Sequence, residues 1–99
     1  MSEAESVTSI DDERIRVTTW TFPDAGASTG PHVHEHDYLV VPVTGGTFVV
    51  TGADGAVREL TQHSGIPYRG TAGTAHEVVS GGDLSAVFVE IELIDPVPR

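Results

Sequence analysis

Four histidines fall in two short blocks, His32, His34 and His36 in PHVHEHDY and His76 in GTAHEVVS. In an extended strand, residues two apart point to the same side with Cβ atoms roughly 7 Å apart. A strand through the first block therefore turns His32, His34, His36 and Tyr38 to one face. Two imidazoles at i and i+2 can share one metal ion, and a third ligand has to come from elsewhere in the chain. His76, well downstream and starting another strand, is the natural candidate. Three imidazoles that leave a coordination position open describe a catalytic rather than a structural site. The chain has no cysteine, so disulfides, thiolate nucleophiles, zinc ribbons and iron–sulfur sites are out, and nitrogen and oxygen are the donors that remain.

The strands that must carry these groups are legible as short runs of β-branched and aromatic residues between Gly, Pro, Asp and Ser. Residues 1–12 hold four of the acidic residues and little to bury, and they read as a loose arm able to order against a partner subunit. From residue 13 to 99 the chain reads as one barrel domain. A first strand over 14–22 (RIRVTTWTF) leads into the long turn PDAGASTG, and a second is expected over 32–43. Thr44-Gly45-Gly46 and Ala53-Asp54-Gly55 then fold the chain into an antiparallel meander through TFVVT and AVRELT. Shorter runs follow at 66–69 and 76–80, and after a Gly81-Gly82-Asp83 turn comes LSAVFVEIELI. In that last run Val87, Val89, Ile91 and Leu93 share one face, while Phe88, Glu90 and Glu92 share the other, with the two glutamates expected on a solvated side unless the strand bulges and turns a carboxylate into the cavity. Pro42 has no N–H for a ladder and marks an edge or a bulge. Short strands with no helical period argue for an all-β sandwich or barrel.

Ninety-nine residues predict a single small domain. Fifteen acidic residues against five basic ones give a formal charge of −10, a surface that repels phosphate backbones and anionic lipids, so neither nucleic acid nor membrane is an expected partner. The acidic, polar opening lacks the pattern of a secretory signal, and no apolar run nears the ~20 residues that span a bilayer. A cytoplasmic protein is expected. With a limited core and open sheet edges, a homodimer is expected too.

At its histidine blocks the sequence resembles the cupin superfamily over about residues 28–94. The first cupin motif runs Gly, five residues, HxH, three or four residues, Glu, six residues, Gly. His32, His34 and Gly45 fall into it, Gly26 supplies the leading glycine, and Tyr38 stands where the glutamate is expected. In the second motif Gly65, Gly73 and His76 match, with Thr71 in place of the proline and Ser80 in place of the asparagine. The resemblance implies a double-stranded β-helix, or jelly-roll, barrel with His32, His34 and His76 as ligands of one metal ion near a mouth. Without the motif carboxylate the donors are three neutral imidazoles, which suit Fe(II), Zn or Ni ahead of Mn.

The resemblance also implies a metal-dependent enzyme, dioxygenase- or isomerase-like, acting on a small organic acid, amine or thiol held in the barrel pocket. Tyr38 or His36 would be nearest for proton transfer, though His36 fits a ligand role and a pocket-lining role equally well, and Tyr38 fits a core aromatic best. Short cupins with an HxHExDY stretch and a VFVEIEL ending are similar to proteins of amino-acid or β-alanine catabolism. The other readings are a non-catalytic binding or sensor module and a vestigial dimeric scaffold. His63, beside a turn, reads as a surface residue, and Trp20 and Phe22 as buried area in the barrel wall or between subunits.

Overall fold

A computed structural model of the chain describes residues 3–82 and 85–94. The outer ends of the expected arm and barrel (1–2 and 95–99), Asp83 of the expected turn and Leu84 at the start of the last run lie outside the described residues. Among those described there is no helix, and the chain forms nine strands: β1 (Glu5–Asp11), β2 (Ile15–Phe22), β3 (His32–Val33), β4 (Tyr38–Pro42), β5 (Gly46–Gly52), β6 (Val57–Gln62), β7 (Tyr68–Gly70), β8 (Ala75–Ser80) and β9 (Ala86–Leu93). They build two sheets, one in the order β1-β2-β9-β4-β7 and one in the order β3-β8-β5-β6, with neighbouring strands antiparallel. This is the double-stranded β-helix that the motifs imply.

Four elements differ from the sequence reading. Residues 5–11 are not a loose arm but a strand on β2, running in register from Glu5↔Thr21 to Asp11↔Arg16 with a bulge between Thr8 and Ile10. Its side chains are all exposed, as its composition dictates, but its backbone finds partners in the ladder. The expected meander also fails between β4 and β5, which lie in different sheets. Thr44 does not close a hairpin there. Its Oγ1 accepts from Val87 N at 3.0 Å, and its carbonyl accepts from Gln62 Nε2 at 2.8 Å, so the turn is held by β9 and β6 as the chain crosses between sheets. The strand expected over 32–43 is interrupted at 34–37. His34 N donates to Thr74 O at 2.8 Å, Gly73 N donates to His34 O at 2.7 Å, and Ala72 N donates to the Asp37 carboxylate at 2.8 Å. The 71–74 loop takes the backbone groups that a continuous ladder would have used. The expectation for Pro42 agrees with the fold: β7 pairs only with Tyr38, Leu39 and Val40, so no strand flanks Pro42 on that side.

The fourth difference lies in β9, which pairs without a bulge from Ile15↔Leu93 to Phe22↔Ala86. Its buried side is Ala86, Phe88 and Glu90, while Val87, Val89 and Ile91 are half-buried on the outer face. The solvated face expected for Glu90 is thus the inner one. Phe88 decides this orientation. Its ring meets Phe22 and Phe48 at centroid distances of 5.6 and 5.9 Å, with Phe22 and Phe48 5.0 Å apart. Phe22 and Phe48 are fully buried, and each buried phenylalanine of this cluster contributes roughly 1.5–3 kcal/mol. The cluster locks β2, β5 and β9 together across the two sheets.

Candidate metal centre

Cross-strand pairing brings the two histidine blocks together. His32 on β3 is registered directly opposite His76 on β8, which puts their Cβ atoms within about 5.5 Å. The segment leading to His32 is fixed along β8 as well. Ser80 N donates to Ala27 O at 2.9 Å, Thr29 N to Val78 O at 3.0 Å, and the Ser28 hydroxyl to the Glu77 carboxylate at 2.6 Å. His34 follows beyond the end of β3, held by the two backbone hydrogen bonds of the 71–74 loop. The Nε2 atoms of the three rings form a near-equilateral triangle: 3.2 Å for His32–His34, 3.1 Å for His34–His76 and 3.1 Å for His76–His32.

That triangle fits a metal ion. With metal–nitrogen bonds of about 2.0–2.1 Å, nitrogens at these separations subtend about 100° at the ion, between the octahedral and tetrahedral angles. The proton inventory agrees. His32 Nδ1 lies 3.0 Å from Gly30 O, and a carbonyl only accepts, so Nδ1 carries the proton and Nε2 presents its lone pair. His34 and His76 are pushed down to about 4, first by burial and then by the charge of His32, so both stay neutral at physiological pH. With His34 and His76 in the same tautomer as His32, three lone pairs would meet at one point, an arrangement that a cation between them relieves.

Above the triangle is a cavity of about 340 Å³. His32, His76, Tyr38 and Glu90 contribute its polar inner surface, Val40, Val50, Leu60, Val78 and Phe88 its apolar wall, and Arg58 and Arg69 also line it. His34 is 5% exposed and does not line the cavity, because the Tyr38 ring covers it, stacked at a centroid distance of 3.9 Å and 20° from parallel. Tyr38 in turn lies against Gly70, its partner on β7. A Cβ at Gly70 would come 1.9 Å from Tyr38 Cζ, so only glycine leaves room for the ring. Burial, with the Glu90 charge second, raises the Tyr38 hydroxyl above its ordinary value and keeps its proton on.

Of the five residues the sequence singles out, the structure brings four together: His32, His34, His76 and Tyr38. His36 sits half-buried in the 34–37 turn and is neither in the histidine cluster nor among the cavity-lining residues. Trp20 is half-buried over the site, its ring stacked on His32 at 6.4 Å. Glu90, which the sequence reading admits to the cavity only if the last strand bulges, reaches it on a strand that pairs without a bulge. It is 8% exposed, lines the cavity, places Oε2 at 3.9 Å from His34 Nε2, and is raised to about 7 by burial and then by Glu92. The signal for it was present in the alternation of β9, where Phe88 and Glu90 share a side.

No family model matches the chain. The beta-alanine degradation protein BauB of Pseudomonas aeruginosa is 37% identical to it over 91 residues, 92% of this chain and 94% of that one. The crystal structure of a cupin domain from Bordetella pertussis is 38% identical, covers 93% of this chain and 94% of its own, and superposes with a TM-score of 0.87. The chain belongs to the cupin superfamily. A cupin superfamily protein from Desulfitobacterium hafniense, 20% identical over 94% of this chain and 79% of its own with a TM-score of 0.72, shares the fold. Among the described residues of this cupin, no helix is long and apolar enough to cross a membrane.

Proposed function

We propose that this cupin is a metal-dependent enzyme acting on a small organic acid, amine or thiol, with His32, His34 and His76 holding one divalent transition-metal ion. The observation that carries the reading is the convergence of three Nε2 atoms within 3.2 Å of one another beside a cavity of small-molecule size. An all-imidazole triangle suits Fe(II), Zn or Ni ahead of Mn. When bound, the ion supplies Lewis-acid or redox chemistry. The chain's own groups do the rest. The apolar wall excludes water from the reacting end, and the Tyr38 hydroxyl, kept protonated by burial, is a proton donor available in the cavity lining, with His36 lying off it. An acid is the best supported of the three substrate classes. Arg58 and Arg69 both line the cavity in a chain with only five basic residues, and the relationship to a beta-alanine degradation protein points to small carboxylates. Losing Arg58 to alanine is expected to raise KM for such a substrate at least tenfold while leaving bound metal unchanged.

The test is elemental analysis of protein purified anaerobically without a histidine tag, beside a His32→Ala/His76→Ala double variant. Near one equivalent of a transition metal in the wild type, lost in the variant, is the expected result. Oxygen-consumption and hydrolysis assays over small carboxylates, amines and thiols then follow. No turnover by fully loaded protein sinks the enzyme reading.

Tyr38 in the place of the motif glutamate favours a second reading, a non-catalytic binding or sensor cupin. There His32→Ala lowers ligand affinity and there is no turnover to abolish. A vestigial scaffold predicts no metal uptake even with metal added. The homodimer belongs to the same proposal, supported by the aliphatic outer face of the β2-β9-β4 sheet, where Ile15, Val17, Leu39, Val41, Val87, Val89, Ile91 and Leu93 lie side by side and half-buried.

A further inference from the structure

Two glutamates stand on the same side of β9, and their surroundings differ. Glu92 has a cation, with Oε2 3.6 Å from Arg16 Nη1. Glu90 is buried deeper, faces the cavity, and among the described residues has no arginine partner and no hydrogen-bond donor; the basic atom near it is His34 Nε2 at 3.9 Å. A desolvated carboxylate without a donor is costly, and a cation in front of it removes the cost. Its position in the sheet is equally pointed. Glu90 is registered opposite Val40 on β4, and Tyr38, two residues earlier on that strand, is registered opposite Glu92. Residue 38 is where the first cupin motif offers its carboxylate. Here that place holds a ring stacked on His34, and a carboxylate reaches the same cavity from the adjoining strand.

We propose that Glu90 is the carboxylate partner of the ion held by His32, His34 and His76, so that the site is a three-histidine, one-glutamate set whose acid comes from β9. The inference rests on the metal-binding part of the function proposed above. It adds one negative charge to three neutral donors, which lowers the net charge of a loaded divalent site from +2 to +1 in surroundings that solvate charge poorly.

The experiment compares metal-stripped wild type with Glu90→Gln, Glu90→Asp and Glu92→Gln. Zn(II) affinity is read by competition with a chromophoric chelator, the Co(II) absorption spectrum is read after reconstitution, and circular dichroism checks the fold of each variant. Glu90→Gln is expected to weaken Zn(II) binding 10- to 100-fold and to alter the Co(II) bands. Glu90→Asp, which keeps the charge, should recover most of the affinity, and Glu92→Gln, which removes the same charge from the same strand, should match wild type. Wild-type affinity and an unchanged Co(II) spectrum in Glu90→Gln overturn the proposal. If Glu90→Gln does not fold, Glu90→Asp decides: a shifted Co(II) spectrum supports the assignment, an unchanged spectrum and affinity overturn it. Failure of the underlying reading looks different, because then wild type itself takes up neither Zn(II) nor Co(II), and Glu90 falls with it.

Discussion

Protonation is the most direct way to dismantle a cluster of neutral imidazoles. His34 and His76 are depressed from 6.5 to about 4, so the folded protein binds fewer protons than the unfolded chain between those values. Their contribution to stability is complete above pH 6.5 and is lost as pH falls through about 4. Glu90 has the opposite sign. Raised from 4.5 to about 7, it contributes fully below pH 4.5 and loses that contribution as pH rises through 7. Metal-free wild type is therefore expected to melt at lower temperature at pH 4 than at pH 6.5. Metal-free Glu90→Gln should gain on wild type between pH 4.5 and 8, by about 3 kcal/mol at most. Thermal melts of stripped protein at fixed ionic strength check both, and a difference between the two proteins that does not change with pH would refute the second. The three histidines of the triangle were legible in the sequence because strand parity and motif register constrain them whatever surrounds them. Glu90 was legible only as the less favoured of two placements, because a period of two says which residues share a face but not which face is inside.

The strands themselves illustrate the same limit. In β9 the more aliphatic face, Val87, Val89 and Ile91, is the outer one, and a reading that sends the greasier face inward inverts the strand. The break between β3 and β4 was hidden for another reason. PHVHEHDYLVVP alternates well enough to run straight, and the loop that competes for its backbone, 71–74, is far away in sequence. The β1 strand escaped notice because its side chains bury nothing, and its order comes from backbone pairing with polar contacts at the surface such as Thr8–Thr18 and Asp11–Arg16. What the turns did reveal was the β5–β6 hairpin, where Gly55 has φ +84° and Asp54 Oδ1 accepts from Ala56 N at 2.9 Å. At this scale the decisive contact is between β4 and β7. Gly70→Ala forces the Tyr38 ring off His34, and is expected to cost about 1–3 kcal/mol by overpacking and to weaken metal binding through the displaced imidazole. Denaturant unfolding and the chelator titration measure the two effects, and wild-type values in both would show that the ring has room to move.

For the molecule as a whole, the eight aliphatic side chains outside the β2-β9-β4 sheet are the feature a lone subunit does not use. A contiguous apolar face of this kind is what subunit interfaces are made from, and a second copy covers it without leaving a sheet face bare. Ile91→Lys places a charge at its centre and is expected to halve the mass seen by light scattering at micromolar protein while leaving bound metal in place. A monomeric wild type would remove the homodimer from the proposal. The chain's charge of −10 would keep such dimers apart from one another and from polyanions.

The ring of Tyr38 over the bare Cα of Gly70 also bears on how this chain can change over generations. A side chain at position 70 is tolerated only where position 38 has already given up its aromatic ring. A small residue at position 38, in turn, frees position 70 and uncovers His34. The two sites can drift only as a pair, and the step that separates them passes through a protein with a disturbed His34.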